Sequence, residues 1–177
     1  MVDVSDKVPT TRSATAIGRV YIPQVAYDLI ASPPGDGDTN TSSALVKARK
    51  KGDVFTIAQL AGIMGAKRTS DLIPLCHPLA LSEISMTLAL DSSHNSQSSS
   101  PPIHSILLTA TVSCEGKTGV EMEALTAVSV GALTVWDMLK AVAGECMTIG
   151  DIMVVRKEGG KSGGFVRPEQ LNAHESN

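Results

Sequence analysis

The sequence predicts an α+β domain in which helices pack on an antiparallel sheet. Three observations support this fold class. Apolar and polar residues alternate, as they do in strands, in segments near both ends and in the middle of the chain. Two of these segments are consecutive and flank a Ser- and Pro-rich stretch that suits a hairpin loop. Helical segments fill the remaining intervals, which gives the order strand, helix, strand, strand, helix, strand of a ferredoxin-like sandwich.

The first half of the chain supplies one strand and two helices. Residues Ala14–Ile22 carry Val and Ile and suit a strand. Pro23 opens a short helix that ends at Ile30, because proline is tolerated in the first helical turn. Asp53 is the predicted N-cap of a helix that runs through IAQLAGIMGAK. The apolar residues expected on one face of that helix are Ile57, Leu60, Ala61 and Met64.

The second half supplies the hairpin, the longest helix and the last strand. We predict strands at Ser82–Asp91 and Ile103–Ser113, a helix from Glu121 to about Val142 and a strand at Met147–Lys157. The long helix is rich in small residues, and Gly131 lowers its helix propensity, so a close packing contact is expected there. That contact is either between helix and sheet within one chain or between subunits.

The length suits one domain, predicted at residues 1–167. Two polar, low-complexity stretches, at about 32–43 and 92–102, are expected to be surface loop insertions. Residues 168–177 are predicted to form a flexible tail.

Composition argues against several classes of protein. The 15 basic and 18 acidic residues give a net charge of −3, and the chain holds one Trp, two Tyr and two Phe. An RNA-binding module, one alternative function, would need basic charge and aromatic stacking surfaces, so no nucleic-acid partner is expected. The longest uncharged apolar stretch, Ala124–Trp136, is too short to span a bilayer. The odd number of cysteines, with no C-x-x-C pair, points to a reducing compartment.

The long helix carries isolated charges that could perform acid–base chemistry. Glu123 and Asp137 are 14 positions apart, so they lie on nearly the same helical face. Lys140 follows Asp137 by one turn, which makes their side chains neighbours. Charges on an otherwise apolar helix often line a cleft, where a Lys–Asp pair can act as acid and base. The alternative is a solvated surface ion pair.

The segment LIPLCHPL holds Cys76 and His77 between two prolines. A histidine in such a stiff loop can bind an anion or transfer a proton near neutral pH, and the alternative is a hydrogen-bonded core histidine. Zinc needs three or four convergent ligands, and the other His and Cys residues are scattered along the sequence. We therefore predict no metal site, which argues against a second alternative function, a metal-dependent nucleotide phosphohydrolase.

Basic residues occur in several clusters that suit a ligand with several phosphates, although each cluster alone could be a solvated surface. They are Arg12, Lys47, Arg49, Lys50, Lys51, Lys67, Arg68, Lys157 and Lys161. The run GGKSGG is not a P-loop, because Val155 replaces the first glycine of that motif and no helix is expected to follow. A glycine loop that carries Lys161 over a bound anion fits better.

Five blocks of the chain together resemble the MoaC family, the cyclic pyranopterin monophosphate synthases of molybdenum-cofactor biosynthesis. The blocks are MVDVS (Met1–Ser5), KGDVF (Lys51–Phe55), AGIMGAKRTSDLIPLCHPL (Ala61–Leu79), GKTGVEMEALTAVSVGALTVWDMLKAV (Gly116–Val142) and GGKSG (Gly159–Gly163). The resemblance implies a ferredoxin-like subunit in a homohexamer, a trimer of dimers, with sites between subunits. It also implies a lyase that converts 3′,8-cyclo-7,8-dihydro-GTP into cyclic pyranopterin monophosphate and diphosphate.

The resemblance assigns site residues by motif. Asp137, Lys140 and Lys51 match catalytic positions. Substrate-binding positions are matched by Leu75, Cys76, His77, Met122 and Glu123, and further polar pocket positions by Glu121, Arg12, Lys157 and Lys161. No cofactor is implied, and Mg²⁺ on the substrate triphosphate remains an alternative. The expected location is the cytoplasm, or the mitochondrial matrix for part of a eukaryotic precursor. The glycine loop departs from the family pattern at Glu158 and Gly164.

Overall fold

The computed structural model describes residues 1–32, 43–93, 103–160 and 163–168. Over these ranges the strands are β1 Thr10–Ile22, β2 Leu81–Ser93, β3 Ile103–Gly116, β4 Thr148–Glu158 and β5 Phe165–Val166. The helices are α1 Gln24–Ala31, α2 Ser43–Lys50, α3 Val54–Lys67, α4 Thr69–Leu72 and α5 Glu121–Ala143, and a 3-10 turn follows at Gly144–Cys146. The predicted tail, apart from Pro168, and most of both predicted insertions lie outside the described residues.

The strands form one antiparallel sheet with the order β2-β3-β1-β4-β5. The register of β1 against β3 runs without a break from Thr10 opposite Gly116 to Ile22 opposite His104. The first four strands have the order of a ferredoxin-like sandwich, and helices pack on the sheet, so the predicted fold class is confirmed.

Helix α5 is the centre of the core. Its buried residues include Ala124, Val128 and Leu139, none of which has exposed surface. A side chain at Gly131 would overlap the methyl group of Met86 and lie 3.0 Å from Leu108 Cδ2, so the missing side chain permits close packing on the sheet. The intramolecular explanation of this small-residue surface is therefore the one that the structure shows.

Helix α5 resembles a membrane-spanning segment in length and composition. The stretch Glu121–Cys146 is long and apolar enough to cross a bilayer. The buried core helix of a soluble protein has the same properties, and α5 packs against α3 and three strands. The expectation of no membrane partner stays a prediction.

The face of α3 that packs inward differs from the apolar face expected from the sequence. Ile57, Leu60 and Met64 are exposed, whereas the buried residues are Ala58, Gly62, Gly65 and Ala66. A side chain at Gly62 would lie 2.7 Å from the carbonyl oxygen of Ala127 on α5. Close approach of the two helices therefore selects the small residues, and the bulky apolar ones are left outside.

Two helices were not expected from the sequence. Helix α2 begins at Ser43, where we placed the end of an insertion, and α4 is a single turn after α3. Strand β2 extends to Ser93, into the second predicted insertion. The predicted N-cap of α3 is confirmed, because the Asp53 carboxylate accepts a hydrogen bond from the Thr56 N–H at 2.7 Å.

Candidate active site

The predicted catalytic residues meet on the surface near the C-terminal end of α5. Lys140 Nζ donates to Asp137 Oδ1 at 2.6 Å, one helical turn away. Lys51 Nζ donates to Asp137 Oδ2 at 3.0 Å and also to the backbone carbonyl of Asp137. One carboxylate is thus held between two ammonium groups. We call Lys51, Asp137 and Lys140 the lysine cluster.

Lys51 reaches Asp137 because of the connection between α2 and α3. Helix α2 contacts α5, and its Ala48 is buried. The chain then turns at Gly52, whose φ of 99° lies in the left-handed region that favours glycine. Asp53 begins α3 immediately afterwards. The short turn therefore fixes Lys51 between two packed helices and above α5.

The two lysines determine the charge state of Asp137. The hydrogen bond from Lys140, followed by that from Lys51, lowers the pKa of the Asp137 carboxyl below its ordinary value. A carboxylate with a lowered pKa is a weak base. The arrangement therefore suits lysines that donate protons or bind an oxyanion, with Asp137 as the group that orients them.

A second group of charged residues lies around the N-terminal end of α5. Lys157 on β4 forms an ion pair with Glu121 at 3.2 Å, and both side chains are one-third exposed. Arg12 on β1 lies opposite Cys114 in the register, and its Nε donates to the Gly116 carbonyl at 3.3 Å. We call Arg12, Glu121, Glu123 and Lys157 the arginine cluster.

Glu123 differs from the other charged residues of the arginine cluster because it is only 4 % exposed. Its Oε2 has no hydrogen-bond partner among the described residues. Burial, with a further contribution from the charge of Glu121, raises the pKa of the Glu123 carboxyl. Burial also raises the pKa of the Cys76 and Cys114 thiols, and the charge of Glu123 adds to both effects.

The other predicted substrate-binding residues lie in more open positions. Leu75 is 69 % exposed and Met122 38 %. His77 Nε2 lies 2.8 Å from the carbonyl oxygen of Val2, so the ring contacts the N-terminal segment. His77 is half-buried and therefore not a core histidine, and its role in anion binding or proton transfer stays a prediction. Lys161 lies outside the described residues.

The structure separates the predicted site residues into these two clusters. Asp137 follows Glu123 by 14 residues on the same helix, which at about 1.5 Å per residue is a separation of roughly 21 Å. Asp137 is exposed whereas Glu123 is buried, and one small cleft in one chain does not hold both. The single cleft inferred from angular spacing alone is therefore not what one chain presents.

Sequence reasoning assigned no role to three residues that lie near the arginine cluster. Cys114 lies beside Glu123, and the register of β1 and β3 would have been needed to place it. Gly159 and Gly160 lie against Arg12 and its neighbour Thr11. The sequence predicts only a glycine loop at this position. Two adjacent glycines can also mark a close backbone contact.

Metal ligands do not gather in the part of the chain that the structure describes. No group of three or more His, Cys, Asp or Glu side chains is close enough there to hold a metal ion. The three cysteines are free: Cys76 is partly buried, Cys114 buried and Cys146 exposed. The expectation of no metal site stays a prediction.

A ferredoxin-like sheet whose core helix carries lysine–carboxylate clusters towards both ends defines an α+β domain with a candidate active site for an anionic ligand. The MoaC family profile matches residues 1–160, and the chain belongs to the MoaC family.

Three relatives are named cyclic pyranopterin monophosphate synthase. The protein from Parvibaculum lavamentivorans is 50 % identical over 165 residues, which cover 93 % of this chain and 88 % of the relative. Those from Campylobacter jejuni and Helicobacter hepaticus are 47 % and 45 % identical over 94 % and 96 % of this chain and 91 % of each relative.

Proposed function

We propose that this chain acts as a cyclic pyranopterin monophosphate synthase, a lyase of molybdenum-cofactor biosynthesis. Its substrate is 3′,8-cyclo-7,8-dihydro-GTP, and its products are cyclic pyranopterin monophosphate and diphosphate. Family membership and relatives that share up to 50 % identity support the activity. The observation that carries the residue assignment is the lysine cluster, because it joins two cations and one carboxylate from separate parts of the chain.

The reaction requires proton transfers and stabilisation of phosphate charge. The pyrimidine part of the purine opens and rearranges, which moves protons at ring nitrogen and carbon atoms. Lys51 and Lys140 supply protons there, and Asp137 orients both ammonium groups. Formation of the cyclic phosphate breaks the bond from the α-phosphorus to diphosphate. Arg12, Lys157 and Lys161 bind the departing charge.

We further propose that one site contains the lysine cluster of one subunit and the arginine cluster of another, in a homohexamer built as a trimer of dimers. The roughly 21 Å between the clusters along α5 supports a contribution from two subunits. The bulky residues on the outer face of α3, Ile57, Leu60 and Met64, supply apolar surface for such contacts.

No metal or other cofactor is part of the proposed chemistry, and Mg²⁺ bound to the substrate triphosphate is the alternative. Excess chelator should leave turnover unchanged if the lysines and arginine carry the phosphate charge, and abolish it if Mg²⁺ does. We propose the cytoplasm as the location, or the mitochondrial matrix for a eukaryotic precursor, because both are reducing and suit free cysteines.

The direct test incubates the purified protein with the cyclic dihydro-GTP substrate and quantifies pyranopterin product and diphosphate in equal amounts. Asp137→Asn should lose most activity, and Asp71→Asn, an exposed carboxylate on α4, is the matched control. The proposed activity is wrong if the folded protein forms neither product. The proposed cluster is wrong if both variants turn over normally.

The shared site is tested by mixing two inactive variants. Asp137→Asn disables the lysine cluster, and Arg12→Ala disables the arginine cluster. When the two variants are denatured and refolded together, a site between subunits should regain activity, because some sites receive both intact clusters. A site within one chain contains a defect in every copy, so the mixture would stay inactive. The light-scattering mass should be near that of six chains.

A further inference from the structure

The turn that follows β4 contacts Arg12 directly. Gly159 and Gly160 have φ angles of 87° and 83°, in the left-handed region that favours glycine. The carbonyl oxygen of Gly160 then accepts a hydrogen bond from the Gly163 N–H at 3.3 Å. The turn therefore bends the chain back just beyond the end of β4, beside the first residues of β1.

This turn leaves no room for side chains. A Cβ at Gly160 would overlap Nη1 of Arg12 and lie 2.9 Å from its Cζ. A Cβ at Gly159 would overlap the Thr11 carbonyl oxygen and lie 3.2 Å from Arg12 Cδ. Gly52 also has a positive φ, but a Cβ there would meet nothing within 4 Å. Backbone conformation alone explains that glycine, whereas a side chain at Gly160 would also displace the Arg12 guanidinium.

Arg12 is held from the other side as well. Its Nε donates to the Gly116 carbonyl at the end of β3, so the guanidinium lies between that carbonyl and the Gly159–Gly160 turn. A free arginine side chain loses rotamer entropy when it is ordered. An arginine that is already ordered avoids much of this loss when it binds a ligand.

Orientation matters for arginine more than for lysine. The guanidinium is a planar fork that binds a phosphate through two parallel N–H groups, whereas the lysine ammonium acts as a point charge. Lys157, two residues before Gly159, is fixed separately by its ion pair with Glu121. The turn thus follows directly after one cation of the arginine cluster and touches the other.

We propose that Gly159 and Gly160 are positioning residues that hold the Arg12 guanidinium in the orientation in which it binds the substrate phosphates. This inference rests on the phosphate-binding role given to Arg12 under the proposed function. Gly160 acts through its close contact with Nη1, and Gly159 acts by letting the backbone approach Thr11.

The test measures binding of diphosphate by calorimetry and the KM for the cyclic dihydro-GTP substrate. Gly160→Ala should weaken diphosphate binding and raise KM by about 10- to 100-fold, the loss expected for one charge-assisted contact, while kcat changes less. Gly150→Ala, on the same strand, is the control, because its Cβ would make an ordinary 3.5 Å contact with Tyr21. Circular dichroism checks the fold of each variant.

A double-mutant cycle separates positioning from backbone strain. In an Arg12→Ala background, Gly160→Ala should cause no further loss of diphosphate binding, because its effect acts through the arginine. An equal loss in both backgrounds would overturn the proposal. If Gly160→Ala does not fold, Arg12→Lys provides the second test: it keeps the charge without the fork and should bind diphosphate nearly as weakly as Arg12→Ala. Normal binding by Arg12→Lys would also overturn it.

The diphosphate measurement separates this inference from the proposed function. A protein that forms no pyranopterin product, but whose diphosphate affinity still depends on Gly160 through Arg12, would contradict the function and support the inference. Normal product formation together with unchanged diphosphate binding in Gly160→Ala would support the proposed function and contradict this inference.

Discussion

The two ends of α5 present similar residues in opposite environments. At the C-terminal end, Asp137 is more than half exposed and each of its carboxylate oxygens accepts from a lysine. At the N-terminal end, Glu123 is buried, and one of its oxygens has no partner among the described residues. The pKa of Asp137 is lowered and that of Glu123 is raised. Hydrogen-bonded cations favour the charged carboxylate, whereas burial favours the neutral acid.

This contrast suggests a division of labour within the proposed site. The lysine cluster provides two cations that are oriented by one carboxylate. The arginine cluster combines fixed cations for phosphate with a buried carboxyl group whose raised pKa favours the acid form, which can donate a hydrogen bond. Pairs of titratable groups with pKa values shifted apart are typical of acid–base catalysis. Substitutions at the two ends of α5 should therefore change different measured quantities.

The largest expected effect is at the lysine cluster. Asp137→Asn and Lys140→Ala should each lower single-turnover formation of pyranopterin by about 10²–10⁴-fold, as expected for the loss of a positioned acid or base. The double variant should be little worse than either single variant, because the residues act as one unit. Strictly additive losses would instead mean that the two residues serve separate steps.

The predictable part of this site follows from local geometry. The i,i+3 spacing of Asp137 and Lys140 places them in contact on any helix, and the structure shows that contact. The approach of Lys51, 86 residues before Asp137, depends on α2 and on the Gly52 turn. The strongly basic sequence of α2, next to a low-complexity stretch, hides the helix. The sequence therefore indicates Lys51 only as one of several basic residues, and its place beside Asp137 follows from the resemblance alone.

The fold, too, could be predicted only where it follows from local backbone geometry. Alternating apolar residues located four strands, because that period follows from the backbone geometry of a strand. The inner face of α3 could not be read in this way. Hydrophobicity selected Ile57, Leu60 and Met64, but the short distance between α3 and α5 requires Gly62 and Gly65 at the contact. The distance between α3 and α5, which a single sequence does not reveal, determines which face of α3 packs inward.

A smaller effect is expected at the arginine cluster. Lys157→Ala removes one cation and should raise the KM by about 10-fold, with kcat nearly unchanged, because its contact with phosphate forms before the chemical step. Salt should weaken substrate binding less in this variant than in the original protein. A loss in kcat alone would place Lys157 in the chemistry and would remove the distinction between the two ends.

A substitution in the Gly52 turn should change either the stability or the turnover of the protein. Gly52→Ala introduces a Cβ at a φ of 99°, which costs about 1–2 kcal/mol of stability if the backbone stays in place. If the backbone shifts instead, Lys51 moves relative to Asp137 and turnover falls by roughly 10-fold. Thermal unfolding and turnover measured together distinguish these results. Unchanged values for both would show that the turn does not position Lys51.

The smallest and most specific effect concerns the charge of Glu123. Glu123→Gln keeps the shape of the neutral acid but cannot ionise. Because the folded pKa is raised, the native state binds more protons than the unfolded state at pH values above the ordinary glutamate pKa of about 4.3. The unfolding free energy of the original protein should therefore fall as the pH rises through this window.

Comparing Glu123→Gln with the original protein isolates the contribution of the Glu123 charge to the pH dependence of stability. Glu121 is present in both proteins. The charge of Glu123 acts on the thiols of Cys76 and Cys114, so the comparison is made at pH values below those at which thiols titrate. Denaturant unfolding at several pH values should show similar stabilities below the ordinary glutamate pKa and a growing advantage for Glu123→Gln as the pH rises above it. A variant that is less stable at neutral pH would mean that Glu123 is charged and paired in the assembled protein. Its partner would then come from another subunit or from a part of this chain outside the described residues, and the two ends of α5 would carry carboxylates in the same charge state.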